Sequence, residues 1–300
     1  MKSRTYSTPA AFRTALEARL RQSGRADADF PRHRQLVVFE RFLARIVVVF
    51  GPTAVLKGGL ALELRLERAR TTRDIDLRVT GSTDDILSRL QDAARRDLGD
   101  FMTFEVGADA DHPEIQGEGM IYAGRRFRAE CKLSGKVYGQ PFGVDVGFGD
   151  PIHGEPDLHV AEDVLGFAGI APPALRLYPV ETHIAEKLHA YTLPRRRPNS
   201  RVKDLPDLAL LSLTRDLRAR DVRAALEQTF GFRATHAIPS SLPAPPPTWR
   251  APYTALARED ELPWTTLDQV AGAAARFLDP VLGVGRGGRW DAHEQMWRTK

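Results

Sequence analysis

A single cysteine, Cys131, stands among 300 residues. No internal disulfide can form and no thiolate metal site can be assembled. The residue reads as a small buried hydrophobe in a strand, and a reducing cytoplasm is the natural compartment. Long apolar runs are also missing. The densest, residues 46–50, is far too short to cross a bilayer. Arg13, Glu17, Arg19 and Arg21 interrupt the segment where a signal peptide would need continuous apolar residues. No membrane partner is therefore expected. Charge is only weakly one-sided, at 43 basic against 39 acidic residues, a net +4. With a pI near 9.3, this suits a polyanionic partner but is common among plain enzymes.

What is present is a globular composition, 42% hydrophobic, enough for one large domain or two moderate ones. Residues 10–21 read as an amphipathic helix. Leu36, Phe39, Leu43, Ile46, Val47 and Phe50 mark a second helical stripe, stopped by Gly51-Pro52. A strand is expected over 53–57, a short helix from Gly58-Gly59 to about Leu66, and a strand over 74–79. Ser82 or Thr83 would cap a helix running to about Leu98, with Asp84-Asp85 in its first turn. Strand signals follow over 101–106, 119–122, 126–133 and 142–148. Beyond Pro172-Pro173 the character changes, and helices are expected over 181–193, 204–213, 221–230 and 265–278. The tail after Gly283 reads as loose. The division this implies is 1–175, α/β with N-terminal helices, and 176–300, mainly helical.

Two carboxylates carry the strongest signal. Asp74 and Asp76 lie two apart on a strand, hence on one face, while Ile75, Leu77 and Val79 form the buried face. Side by side they repel unless a cation bridges them. Mg²⁺, a hard ion shared with substrate phosphates, is the usual answer, with Mn²⁺ as the alternative. A lone pair of this kind is more often a solvent-facing strand end. Asp145, between Val144 and Val146 in a run otherwise fit for a core, is the natural third ligand; Asp150 competes but precedes Pro151 and reads as a turn residue.

Lys57-Gly58-Gly59 follows a strand and opens a helix, where backbone N–H groups and a lysine can meet phosphate, although Gly-Gly there is usually just a tight turn. On the helix over 181–193, Ile184, Leu188 and Tyr191 form the buried stripe and leave Lys187 on another face. It either reaches a triphosphate or is a solvated surface lysine. His183 and His189 are six apart, not the four that zinc ligation on one helical face needs. Asp204 is either the next helix's N-cap, a holder of Lys187, or an aid in deprotonating an acceptor hydroxyl. Arg195, Arg196, Arg197, Arg201 and Lys203 form a basic loop that suits a nucleic-acid backbone, or is merely solvated.

KGGLALELR at 57–65, RTTRDIDL at 70–77, ETHIAEKLHAY at 181–191 and RVKDLPDL at 201–208 together resemble the AbiEii-type nucleotidyltransferases. These are the toxins of type IV toxin–antitoxin systems, in the DNA-polymerase-β-like superfamily, and include mycobacterial toxins that modify tRNA. The resemblance implies an α/β nucleotidyltransferase domain, a mixed sheet with flanking helices, followed by a helical C-terminal domain that contributes Lys187 and Asp204. It implies that Lys57, Gly58, Gly59, Thr72, Arg73 and Lys187 meet the nucleotide, and that Asp74 and Asp76 bind metal. NTP, RNA (the tRNA 3′ end) and a cognate antitoxin are the implied partners. Thr72 falls where relatives often carry a serine that an antitoxin kinase can phosphorylate, and it keeps the hydroxyl. Two departures concern the nucleotide: Leu60 replaces the small hydroxyl residue often found after the glycines, and fourteen residues separate Gly59 from Asp74.

Overall fold

The computed structural model describes residues 6–23, 30–66, 72–82, 84–111, 124–149, 151–195, 199, 201–283 and 287–298. Arg68, Arg70, Thr83, Asp150, Arg196, Arg197 and the strand expected over 119–122 lie outside them.

Two helices lead, α1 (Pro9–Ser23) and α2 (Phe30–Phe50). The stripe on α2 buries Phe39, Leu43, Ile46 and Phe50, but Val47, expected in it, is exposed; Gly51, at φ +53°, turns the chain out of the helix. Then follow β1 (Ala54–Lys57), α3 (Gly58–Glu63), β2 (Asp74–Val79), α4 (Ile86–Ala94), β3 (Met102–Ala108), β4 (Gly124–Leu133), β5 (Lys136–Val137), β6 (Phe142–Gly147), β7 (Asp157–Val160) and β8 (Ala174–Leu177). These strands form one mixed sheet in the order β3-β4-β6-β2-β1-β8-β7, with β5 beside β4. Its centre holds the chemistry-bearing segments, since β6 runs parallel to β2 and β1 antiparallel to it.

The second half packs α5 (Val180–Thr192), α6 (Asp204–Leu211), α7 (Ala219–Arg233), α8 (Arg250–Glu259) and α9 (Leu267–Leu282) around a core of its own, with Tyr253, Phe277 and Trp290 fully buried. The larger cluster draws on residues from Phe12 to Leu177 and includes Cys131. Burial pushes the Cys131 thiol up to about 12, as a hydrophobe in a strand should behave.

Several boundaries differ from expectation. The sheet continues past Pro172-Pro173, because β8 lies parallel to β1 at Leu56–Leu177. Helix α4 ends at Ala94 rather than Leu98. The chain must leave it so that Asp100 can reach the helix α2 arginines. Arg41 Nε donates to Asp100 Oδ2 at 2.7 Å, and Arg45 spans both oxygens at 2.9 and 2.7 Å. Arg45 and Asp100 are fully buried. Ser82 does not cap α4: its hydroxyl accepts from the Asp84 N–H at 3.2 Å, and Asp85 occupies the N-cap without a side-chain bond. The tail is not loose over 289–298. There β10 (Arg289–Asp291) and β11 (Met296–Arg298) form a hairpin beside β9 (Leu217–Arg218). Trp290 is buried in this hairpin, 5.0 Å from Phe277, and its indole donates to the Ser212 carbonyl.

Candidate active site

A cleft of about 350 Å³ opens between the sheet and α5. It gathers most of the candidate residues: Lys57, Gly58, Gly59, Thr72, Asp74, Asp76, Asp145 and Lys187 all line it. Arg73 does not; it is exposed outside the lining. Asp204 lies behind Lys187 rather than in the lining.

The floor is a row of residues paired across four strands. Register sets Arg126 opposite Asp145, Asp145 opposite Asp76, and Asp76 opposite Lys57. Burial, then the neighbouring Asp145, pushes the Asp76 carboxyl up to about 6. Two glycines make room for the acidic pair. A Cβ at Gly58, whose φ is +69°, would sit 2.0 Å from Asp76 Oδ2, and one at Gly143 would sit 2.6 Å from Asp74 Oδ1. Gly58 is thus fixed by both its left-handed backbone and the carboxylate pressed against it. Gly143 also donates its N–H to Asp74 Oδ1 at 3.1 Å.

Among the described residues, no three His, Cys, Asp or Glu side chains already converge as a metal cage. Asp145 is held by Arg126, whose Nε and Nη2 donate to its two oxygens at 2.7 and 2.6 Å. The donor set nonetheless fits a hard divalent ion. Asp74, Asp76 and Asp145 offer only oxygen and stand on the neighbouring strands β2 and β6.

Opposite the floor, α5 presents His183, Glu186, Lys187 and Ala190 to the cleft, and Leu193 follows at its end, while Ile184, Leu188 and Tyr191 are buried behind. Lys187 is not a solvated surface lysine. Its ammonium lies 2.9 Å from Asp204 Oδ1 and 2.8 Å from Asp207 Oδ2, and Arg201 reaches the other Asp204 oxygen at 3.3 Å. Asp204 is the first residue of α6, not its cap; Lys203 is the N-cap residue.

Glu186 is a residue that motif reading passed over. Lys57 Nζ lies 3.1 Å from its Oε2, the Tyr178 hydroxyl donates to Oε1 at 2.8 Å, and Arg233 approaches at 3.5 Å. Asp207, Arg126 and Arg233 were missed likewise, and only the i, i+3, i+4, i+7 spacing of α5 hinted at Glu186. His183 is buried in the lining with no hydrogen-bond partner for either ring nitrogen among the described residues. Burial, then Lys187, lowers its pKa to about 3. His189 bonds Thr235 and Arg233 at 2.8 and 3.3 Å, which leaves no zinc role.

Thr72 is anchored. Its carbonyl accepts from Arg32 at 2.8 Å, its N–H points to Glu63, and Arg32 pairs with Glu63. At the mouth, Arg195, Arg201 and Lys203 line the cleft.

No curated protein matches the chain. Among solved structures it is similar to MenT4, a nucleotidyltransferase toxin from Mycobacterium tuberculosis, at 17% identity and a TM-score of 0.48, covering 74% of this chain and 69% of that one. It is also similar to JHP933 from Helicobacter pylori, at 18% identity and a TM-score of 0.42, covering 83% and 89%. A third is described as a putative nucleotidyltransferase from H. pylori, at 16% identity and 0.41, covering 83% and 92%. The family model for the nucleotidyl transferase AbiEii toxin of type IV toxin–antitoxin systems matches residues 41–273, which hold the whole cleft. The chain belongs to the AbiEii nucleotidyltransferase toxin family.

Proposed function

We propose that this nucleotidyltransferase moves a nucleotide from an NTP to the 3′ end of tRNA in a Mg²⁺-dependent reaction, so blocking translation, and that a cognate antitoxin restrains it in the cytoplasm. The observation that carries the reading is the pairing of the acidic row with the basic mouth in one cleft. Asp74, Asp76 and Asp145 lie on the floor, and Arg195, Arg201 and Lys203 at the entrance. An acidic floor alone repels both substrates; a basic mouth beside it gives a polyanion somewhere to rest.

Asp74, Asp76 and Asp145 would hold the metal. When bound, it supplies charge neutralisation at the phosphates and lowers the pKa of a coordinated hydroxyl. Lys57 and the Gly58-Gly59 backbone would cradle the triphosphate. Lys187, fixed by Asp204 and Asp207, would contribute a positive charge that need not reorganise as negative charge builds. Asp204, already committed to Lys187 and Arg201, serves as a holder rather than a base. The acceptor hydroxyl gives its proton to solvent water as its oxygen bonds to the α-phosphorus, the bond from the α-phosphorus to the bridging oxygen breaks, and pyrophosphate departs. Thr72, in the cleft wall, is the hydroxyl on which an antitoxin kinase could act.

The test is label transfer from each α-labelled NTP to total tRNA, with periodate-oxidised tRNA alongside. Label on intact tRNA and none on oxidised tRNA supports the 3′-end assignment. Equal labelling of both moves the acceptor elsewhere, and tRNA that shortens without labelling indicates a nuclease instead.

A further inference from the structure

The row across the sheet floor reads Arg126, Asp145, Asp76, Lys57. Its charges run plus, minus, minus, plus, and directly opposed residues on neighbouring strands share a face. The outer cations are used differently. Lys57 is drawn to Glu186 at 3.1 Å. Arg126 closes on Asp145 with a two-point fork at 2.7 and 2.6 Å, the strong geometry for a carboxylate. Asp145 keeps 15% of its side-chain surface, whereas Arg126 keeps 40%, so the arginine has solvent to swing into and the carboxylate does not.

We propose that Arg126 is the built-in counter-ion of the metal site, holding Asp145 until a divalent cation and nucleotide take its place. The inference rests on the reading of Asp145 as a metal ligand. The physical need is clear in the row itself. Without a cation, Asp145 beside Asp76 would set two carboxylates against each other on a half-buried surface. The guanidinium removes that repulsion. A metal ion on the same oxygens would then repel the guanidinium, so the two cations compete for Asp145. A nucleotide phosphate offers the displaced fork an equally good two-oxygen partner. Metal and nucleotide should therefore bind cooperatively, each relieving the arginine's hold for the other.

Mn²⁺ titration calorimetry on the full chain tests this directly, with Arg126→Gln, Asp145→Asn and Arg128→Gln variants. Arg128 lies two residues along the same strand and is exposed, so it controls for loss of one positive charge. Arg126→Gln should tighten Mn²⁺ binding about tenfold without nucleotide, the worth of one bidentate pair, and Arg128→Gln by less than about threefold. Arg126→Lys, which keeps the charge but not the fork, should fall between and serves if the glutamine variant folds poorly. If Arg126→Gln binds no tighter, or Arg128→Gln tightens equally, while Asp145→Asn weakens binding, the counter-ion role is overturned and Asp145 stands as a ligand. If Asp145→Asn binds like the unaltered protein, the metal reading of Asp145 fails and the inference with it.

Discussion

Replacing Lys187 by methionine separates what this residue does for folding from what it does for chemistry. Its ammonium sits 2.9 Å from Asp204 and 2.8 Å from Asp207, whose side chains are 5% and 0% exposed. Each contact is worth roughly 5–6 kcal/mol of gross Coulomb attraction at an effective dielectric of about 20. Much of that offsets the cost of burial, so removing the cation should destabilise the fold by about 3–5 kcal/mol. Arg201 still holds Asp204 after the change. Urea unfolding should show the loss directly, and the melting temperature should drop by roughly 6–20 °C. Adding Asp207→Asn to Lys187→Met removes the buried negative charge that faced the lysine and should return part of the lost stability. Nucleotidyl transfer should stay lost in both variants. A single-variant loss below about 1 kcal/mol would refute the reasoning, because an exposed lysine pair costs no more than that. So would a double variant no more stable than the single one.

Three other outcomes follow. Asp100→Ala should cost about 3–5 kcal/mol in urea unfolding, because Arg41 and Arg45 would lose their shared buried carboxylate; a loss under about 1 kcal/mol would contradict the role given to that cluster. Gly58→Ala should abolish transfer, since the added Cβ meets Asp76 Oδ2 at 2.0 Å on a left-handed backbone; near-normal activity would mean the carboxylate is not fixed there. His183, lowered to about 3 mainly by burial, stays neutral when folded while the unfolded chain gains a proton below about 6.5. Stability is then lost as pH falls from 6.5 toward 3, by about 1.4 kcal/mol per pH unit; His183→Leu should flatten this slope, and an unchanged slope counts against the assignment.

How much of this was legible depends on the range of the interaction that decides each feature. The Asp74–Asp76 pair, the Gly58 turn and the α5 stripe were readable because strand alternation, left-handed backbone and helical spacing act within a few residues. The role of Arg126 was not. In sequence it is one arginine in a strand, and only the β4–β6 register brings it to Asp145. Strand β8 was hidden for the same reason: four residues after a proline pair, defined by pairing with β1 over a hundred positions earlier. The tail reads as glycine- and arginine-rich, yet Trp290 anchors it against Phe277 and Ser212. Glu186 stood beside the lysine that drew attention, and its partners Lys57, Tyr178 and Arg233 come from three separate segments.

The central claim is that the acidic row is where nucleotidyl transfer occurs, and Asp76→Asn tests it most directly. Transfer of α-labelled nucleotide to tRNA should be followed in the unaltered protein and this variant, alongside their urea unfolding curves. The account predicts a fall of at least about a hundredfold in transfer rate, on the order expected when a transition-state contact is lost, with the variant still folded at assay temperature. Transfer at an undiminished rate would contradict it.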